Sequence, residues 1–354
     1  MRFLTLDLTY AGIGRSLPGF PWKDGMKAGE DKLVQRIAKA LAFKRRTQLT
    51  LGIGDDAALL LPRPGFETIL TSDWFLEGSH FLRDQHPADS IGWKGLARAV
   101  SDIAAMGGVP KYFLLSLAIP GTHTGLWLDR FLRGLARAAR RFDCQLAGGD
   151  TTRSDEILIN VAVFGEIPAS RAVLRSGAKP GDLIYATGHL GEAEFGLRTL
   201  RQSRTVTFQN NPSVKKHLYP EPRLAVGAWL ATKRIATSMM DLSDGLSSDL
   251  PRLCAASRVG ARIVTSRLPK LKLPGAKTPK DCDLTDLALN GGDDYELLFT
   301  VRPDQARRLP PKFQGIPLTC IGEITRQRKL RLVAPGGREE ILLVRGWDPF
   351  RHRT

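Results

Sequence analysis

The chain has 354 residues, of which 42% are hydrophobic and 25% are charged, as is usual for a globular protein that buries a core. No stretch reaches the roughly 18 uncharged apolar residues that a transmembrane helix requires, which argues against a membrane protein. The formal net charge of +16 favours anionic partners, but the basic residues are dispersed and form no recognisable nucleic-acid-binding module. We therefore expect no specific nucleic-acid partner, and a basic nucleic-acid-binding protein stays a distant alternative.

The four cysteines are scattered along the chain without C-x-x-C spacing. This spacing argues against a disulfide framework and against a structural zinc site, and it fits a reducing compartment. We accordingly predict a cytoplasmic protein. Residues 1–28 contain no evident cleavage site and are interpreted as a non-secretory N-terminal extension, with disorder as an open alternative.

Apolar periodicity predicts alternating helices and strands through residues 29–167, which we interpret as an N-terminal domain. Helical spacing occurs at 32–43, 91–106 and 125–142, and apolar runs predict strands at 67–73, 111–120 and 156–167. The segment 144–153 predicts a strand that runs into a glycine turn. The helix at 91–106 is expected to stop at Gly107-Gly108.

A segment rich in Pro, Gly and Ser, residues 168–182, marks the predicted junction to a C-terminal domain over residues 168–354. Beyond it the pattern predicts a strand at 183–188, a helix from 188–197, a polar loop at 201–215, a helix at 222–233, and a strand or turn leading into a helix at 238–257. Two further units and a basic tail complete the chain. Strands that alternate with helices in both halves predict an α/β or α+β fold.

Acidic residues recur directly after Gly, Ser or Thr at the ends of apolar segments. The positions are Gly54-Asp55-Asp56, Ser72-Asp73, Ser101-Asp102, Gly149-Asp150, Asp241-Leu242-Ser243-Asp244 and Gly292-Asp293-Asp294. One such pair alone is usually a turn or a helix cap. Six in one chain favour a common role, because Mg²⁺ takes oxygen ligands of this kind and often shares its site with phosphates. The flanking glycines let the backbone approach a phosphate closely.

Other phosphate and hydrolase chemistries lack their sequence signatures. The chain contains no G-x-x-x-x-G-K-[ST] loop, no protein-kinase signature and no G-x-S-x-G elbow. Its six histidines show no H-E-x-x-H spacing, which disfavours zinc. The acidic positions therefore remain the main chemical signal.

Seven segments resemble, in order and spacing, the motifs of the thiamine-monophosphate kinase family, which belongs to the ATP-binding superfamily of aminoimidazole ribonucleotide synthetase. These segments are GIGDDAALL, TSDWFLEGSHF, ARAVSDIAAMGGVP, GGDTTRS, LRSGAKPGD, DLSDGLSSDL and NGGDDYELLFTV. The resemblance implies a two-domain α/β protein that dimerises through its N-terminal domains, whose sheets join into a barrel. It also implies direct in-line transfer of the γ-phosphate of ATP to thiamine phosphate, with several Mg²⁺ ions.

The resemblance further implies roles for individual residues. The implied metal ligands are Asp56, Thr71, Ser72, Asp73, Asp102, Asp150, Asp241 and Asp244. The implied ATP contacts are Gly149, Asp150, Arg175 and Ser243, and the implied contacts to thiamine phosphate are His80, Asp293 and Trp347. Of these, Asp102, Asp150 and Asp244 are expected to carry catalysis.

These implied roles agree with the chemistry of two anionic reactants, which repel each other and need positioning and charge neutralisation. Trp347 could stack on the cationic thiazolium, whereas the structural alternative is an aromatic residue packed on the core. His80 has a comparable alternative as a structural histidine.

Two positions depart from the family pattern: Asp293 stands where Glu is common, and Trp74 where a small polar residue is common. Another ATP-using enzyme of the same superfamily is the alternative function.

Overall fold

The computed structural model describes residues 30–42, 48–54, 56–202, 211–272 and 282–350. The predicted N-terminal extension and Asp55 lie outside the described residues. None of the helices in the described ranges combines the length and the apolar character needed to cross a membrane.

Helices and strands alternate along the described residues, as the periodicity predicts. The helices are α1 (Glu30–Ala40), α2 (Ala88–Ala105), α3 (Leu126–Arg141), α4 (Glu192–Gln202), α5 (Pro212–Leu218), α6 (Leu224–Thr232), α7 (Leu246–Ser257), α8 (Leu284–Asn290) and α9 (Pro303–Ala306). The strands are β1 (Leu49–Leu51), β2 (Leu59–Leu60), β3 (Phe66–Leu76), β4 (Val109–Ile119), β5 (Gln145–Arg153), β6 (Leu158–Pro168), β7 (Leu183–Thr187), β8 (Ala236–Leu242), β9 (Gly260–Val264), β10 (Glu296–Val301), β11 (Lys312–Phe313), β12 (Ile316–Thr325), β13 (Leu330–Val333) and β14 (Glu339–Ile341). The predicted mixed α/β architecture is confirmed.

Two sheets organise the molecule. The first half forms a four-stranded sheet in the order β3-β6-β4-β5, in which only β4 and β5 are parallel. The second half forms an eight-stranded sheet with the path β14-β13-β9-β12-β7-β10-β8, and β11 pairs with β12 beside it. Neither sheet closes on itself within the described residues, so the predicted barrel is not formed by one chain.

Helix α2 is the central element between the two sheets. It contacts β3 and β6 on one side and α6 and β8 on the other, and it packs along α3. Helices α2 and α3 lie close together because a glycine of each helix faces the backbone of the other. A Cβ on Gly92 would lie 2.1 Å from the carbonyl oxygen of Phe131, and a Cβ on Gly134 would lie 1.8 Å from the carbonyl oxygen of Asp89. Any side chain at either position would push the helices apart.

The largest hydrophobic cluster draws residues from both halves of the chain. It joins Val100 of α2 and Phe113 of β4 with Leu230 of α6 and Phe299 of β10, all fully buried. A second cluster belongs to the eight-stranded sheet and its helices α7 and α8. Since α2 shares its core with elements beyond residue 168, its polar residues are held rigidly against the second half.

The glycine turn predicted near Gly149 is wrong. Strand β5 continues through this residue and pairs in parallel with β4, with Gly149 opposite Leu115. A Cβ at Gly149 would lie 1.9 Å from the Leu115 carbonyl oxygen, so glycine here permits close strand approach rather than a reversal.

The polar loop predicted at 201–215 is also wrong at its end, where α5 begins at Pro212. The Asn211 side chain accepts hydrogen bonds from the backbone N–H groups of Ser213 and Val214, at 3.0 and 3.1 Å, and so caps the helix. Proline at the first helical position needs no N–H partner. Residues 203–210 lie outside the described part of the chain.

Candidate active site

A cavity of about 590 Å³ opens between the two halves of the molecule. It is bounded by β3 and α2 from the first half, and by the segments after β8 and before β10 from the second. Eight of the residues predicted as site residues line it: Asp73, His80, Asp102, Asp241, Ser243, Asp244, Asp293 and Trp347. The structure thus brings together residues that are up to 274 positions apart in the sequence.

Four carboxylates form one side of this cavity, here called the acidic wall: Asp73, Asp102, Asp241 and Asp244. Asp73 lies on β3 and Asp102 on α2, whereas Asp241 lies at the end of β8 and Asp244 directly after it. The hydroxyl of Thr71 donates to Asp102, and that of Ser101 donates to Asp241 at 2.7 Å. Thr71 and Asp73 share the face of β3 that is turned towards α2, because side chains alternate along a strand.

Burial and mutual repulsion disfavour the negative charge on three carboxylates of the acidic wall. The pKa of Asp73 is raised to about 6, mainly by burial; Arg98 opposes this effect, and the charges of Asp102 and Asp244 add to it. Burial also raises the pKa of Asp102, and burial together with the charge of Asp102 raises that of Asp241 well above its ordinary value. A cation between these groups would relieve both effects.

The side chains of the acidic wall are not arranged as the coordination sphere of a metal ion. Within the described ranges, no three His, Cys, Asp or Glu side chains are grouped closely enough to hold a metal ion. Instead Asp244 accepts a hydrogen bond from Arg252 at 2.6 Å, and Asp102 and Asp241 accept from hydroxyl groups. Coordination of one ion by three of these carboxylates would therefore require movement of their side chains.

His80 and Trp347 also line the cavity, and their ring centroids are 6.4 Å apart. The backbone N–H of Trp347 donates to the carbonyl oxygen of Asp244 at 2.8 Å, so this pair lies next to the acidic wall. The Nδ1 atom of His80 accepts a hydrogen bond from the backbone N–H of Leu76 at 3.1 Å. Burial, with a contribution from Arg98, lowers the pKa of His80 to about 4. At neutral pH the ring is therefore uncharged and carries its proton on Nε2, which makes it a hydrogen-bond donor.

Asp293 also lines the cavity and is already bound by cations of α2. Its Oδ2 atom is 2.8 Å from the ammonium of Lys94, and its Oδ1 atom is 3.6 Å from Arg98 and accepts from the Tyr295 hydroxyl at 2.8 Å. Both Asp293 and Tyr295 have positive φ angles, of 66° and 50°, so the backbone is bent sharply to aim these side chains. Lys94 and Arg98 hold the pKa of Asp293 well below its ordinary value against the effect of burial.

Sequence reasoning missed Lys94, Arg98 and Tyr295, and also His217, which lies 3.4 Å from the Lys94 ammonium. A signal for two of them was present in the sequence. Lys94, Arg98 and Asp102 are spaced four residues apart in an otherwise apolar helix, so they form one polar stripe along α2. Charged residues on one face of a buried helix indicate a site.

Six predicted site residues do not line the cavity: Asp56, Thr71, Ser72, Gly149, Asp150 and Arg175. Asp56 is exposed after β1, and Asp150 is exposed on the edge strand β5. Ser72 faces away from α2 and donates to Asn160 at 3.1 Å. Arg175 is exposed, yet its charge lowers the pKa of Asp102, so it lies near the acidic wall. Their roles stay predictions.

Sequence profiles of one family match both halves of the chain. Residues 54–167 match the AIR synthase related protein, N-terminal domain, and residues 179–335 match its C-terminal domain. The two-sheet fold with a cavity between the halves therefore defines a member of the AIR synthase related proteins.

Comparison with named relatives shows which group of these proteins the chain resembles. The chain is 37% identical over 329 residues to the thiamine-monophosphate kinase of Escherichia coli strain K12, covering 92% of this chain and 99% of that one. The crystal structure of the thiamine-monophosphate kinase of Stenotrophomonas maltophilia K279a is 35% identical, with a TM-score of 0.75, and the match covers 85% of this chain and 95% of that one. A structure of AaThiL complexed with AMPPCP and TMP is 29% identical, with a TM-score of 0.70 and coverage of 92% and 99%. The chain belongs to the thiamine-monophosphate kinase family.

Proposed function

We infer that this chain phosphorylates thiamine phosphate with ATP, forming thiamine diphosphate and ADP. The observation that carries this inference is the cavity, which the acidic wall lines together with His80 and Trp347. The family relationship supports it, as does the AaThiL structure complexed with AMPPCP, an ATP analogue, and TMP. A nucleic-acid-binding function is disfavoured, because buried carboxylates facing a cavity would repel a polyanion.

We propose Mg²⁺ at the acidic wall, since its donor atoms are carboxylate oxygens and their raised pKa values report uncompensated charge. The proposed ligands are Asp73, Asp102, Asp241 and Asp244, with Asp56, Thr71, Ser72 and Asp150 added from the sequence motifs. When bound, the metal would neutralise charge on the phosphates of the nucleotide.

The protein's own groups position the two reactants in this proposal. Ser243 and Arg175 contact the nucleotide, and Gly149 and Asp150 approach its phosphates. His80 donates from Nε2 to thiamine phosphate, Trp347 packs against its cationic ring, and Asp293 keeps Lys94 and Arg98 in place beside it. The transfer is in line, and the ionised phosphate of the acceptor needs no general base.

The direct test is to incubate the purified chain with ATP, Mg²⁺ and thiamine phosphate. We expect ADP and thiamine diphosphate to form in equal amounts, measured by chromatography. If ATP is consumed only with another acceptor, the chain is a different ATP-using enzyme of the superfamily. If neither product forms, the proposed function is wrong.

Replacing Trp347 with leucine is expected to raise the KM for thiamine phosphate about tenfold, because a desolvated cation–π contact contributes roughly 1–2 kcal/mol. The KM for ATP should stay within a factor of two. The matched control is Trp127→Leu on α3, a half-buried tryptophan that does not line the cavity. An unchanged KM for thiamine phosphate would show that Trp347 only packs on the core.

We also propose a homodimer built on the outer face of the four-stranded sheet. Its side chains include Leu70 and Trp74, which are 66% and 56% exposed, and the half-buried Leu114 and Phe164. A large apolar patch of this kind marks an interface. Both edges of the sheet, β3 and β5, are open, and pairing β3 with β5 of a second copy would bring Asp150 of that copy towards Ser72.

The dimer proposal predicts that Leu70→Lys combined with Trp74→Lys halves the mass measured by light scattering after size-exclusion chromatography. Two buried lysines on the shared face would each lose hydration without gaining a partner. The control Leu126→Lys places the same charge at a residue of α3 that is 63% exposed, and should leave the mass unchanged. A parent chain that is monomeric at micromolar concentration would contradict the proposal.

A further inference from the structure

Arg98 is a cation of α2 that lines the cavity close to both the acidic wall and His80. Its side chain leaves α2 one turn after Lys94 and one turn before Asp102, lines the cavity and is 16% exposed. The guanidinium lies over the Phe75 ring, 5.3 Å from its centroid. Its charge acts on Asp73 and Asp102 of the acidic wall, and on His80. Arg98 is therefore near both proposed reactants.

The hydrogen-bonding capacity of Arg98 is only partly used. One terminal nitrogen donates to the Tyr295 hydroxyl at 3.0 Å, and the ion pair with Asp293 is long, at 3.6 Å, because Lys94 already holds that carboxylate at 2.8 Å. The buried Nε atom of Arg98 finds no hydrogen-bond partner among the described residues. A buried N–H group without a partner costs about 1–3 kcal/mol, so an anion that enters the cavity would be bound by it.

The donor geometry of the guanidinium group indicates that the anion is a phosphate. Arginine presents a planar set of N–H donors that matches two oxygens of a phosphate, and its packing against Phe75 fixes the plane. Lys94 cannot serve in the same way, because it is fully buried and bound to Asp293 and His217. Arg98 is the cation of α2 whose donors remain available to a substrate.

We propose that Arg98 is a catalytic residue that binds the phosphoryl group in transit between ATP and thiamine phosphate. This inference rests on the proposed function and extends it. In the transfer, the bond from the γ-phosphorus to the bridging oxygen breaks and its electron pair leaves with ADP. An oxygen of the acceptor phosphate supplies the pair for the new P–O bond. Arg98 stabilises the negative charge that is spread over the equatorial oxygens of the phosphoryl group during the transfer.

The test compares Arg98→Met and Arg98→Lys with the parent in single-turnover formation of thiamine diphosphate. We expect Arg98→Met to lower the rate constant about 10³-fold, while the Kd values for ATP and thiamine phosphate change less than fivefold. Arg98→Lys should recover part of the rate. Millimolar guanidinium chloride should accelerate Arg98→Met and leave the parent unaffected. Trapping of ADP by aluminium fluoride with thiamine phosphate, which mimics the group in transit, should be lost in Arg98→Met.

Tyr295→Phe is the matched control for a purely structural role. It removes the hydrogen bonds of Tyr295 to Arg98 and Asp293 and leaves all charges in place. A rate loss in Tyr295→Phe equal to that in Arg98→Met, or an Arg98→Met rate within fivefold of the parent, would overturn the inference. So would a loss of ground-state affinity as large as the loss of rate. A parent chain without turnover would instead contradict the proposed function itself, so the two failures are distinguishable.

Discussion

Replacing Asp102 with asparagine is expected to lower the turnover number roughly 10³-fold, an effect as large as that expected for Arg98→Met. Asp102 lies on α2 at the centre of the acidic wall, with Thr71 donating to it and Asp241 repelled by it. Losing its charge would remove the proposed metal contact and with it several kcal/mol of transition-state stabilisation. Each 1.36 kcal/mol corresponds to a factor of ten in rate. Steady-state kinetics with saturating ATP and thiamine phosphate measures the effect.

The same substitution should not weaken the fold. Burial raises the pKa of Asp102, so placing its negative charge in the folded chain costs stability. Asparagine keeps the shape and the acceptor for Thr71, and we expect the free energy of unfolding without metal to stay equal or to increase. A loss of turnover without a loss of folding stability would distinguish a metal ligand from a residue that only stabilises the fold.

The control for Asp102→Asn is Asp129→Asn, at an exposed residue of α3 paired with Arg36 at 2.6 Å. Surface pairs contribute about 0–1 kcal/mol, so turnover should change less than twofold. Binding of Mn²⁺, followed by its electron paramagnetic resonance signal, should weaken in Asp102→Asn alone. Full turnover in Asp102→Asn would remove the acidic wall from the mechanism.

Replacing Glu296 with glutamine is expected to cost about 3–5 kcal/mol of folding free energy, the largest stability effect that we predict. Glu296 begins β10 and is 1% exposed. Its carboxylate binds the ammonium of Lys216 at 2.5 Å and the guanidinium of Arg223, and it accepts from the Thr187 hydroxyl at 2.6 Å. Glutamine removes the carboxylate that these two largely buried cations share, which weakens the attachment of α5 and of the start of α6 to the sheet.

This cluster also predicts a pH dependence. Burial would raise the pKa of Glu296, but Lys216 and Arg223 overcome it and lower the pKa from 4.5 to about 2. The stabilisation is therefore fully present above pH 4.5 and is lost as the pH falls towards 2. Urea unfolding of the parent and of Glu296→Gln should differ most at pH 7 and converge near pH 2.

The control for Glu296→Gln is Glu323→Gln, at an exposed residue of β12 that lies 3.5 Å from Arg262. Its pair is solvated, so we expect a change of at most about 1 kcal/mol at any pH. A cost below 1 kcal/mol for Glu296→Gln at pH 7, or an equal cost at pH 3 and pH 7, would contradict the prediction.

Most helices and strands could be predicted because their signals are local. The period of apolar residues along α2 and α3 and the apolar runs of β4 and β6 appear within single segments, and the structure confirms them. The errors arose where a local signal had two meanings. Glycine at Gly149 suggested a turn but serves close strand packing, and the polar stretch before Pro212 hid a capped helix.

The residue pattern by itself determined the family, the mixed α/β class and the set of acidic motifs. Only the tertiary structure decided which motifs meet. The strand order β3-β6-β4-β5 separates Asp150 from Asp73 within one chain, and the packing of α2 between two sheets joins Lys94 to Asp293, which is 199 residues away. The physical reason is that periodicity is set by neighbouring residues, whereas the pairing of buried charges depends on which surfaces the folded chain brings into contact.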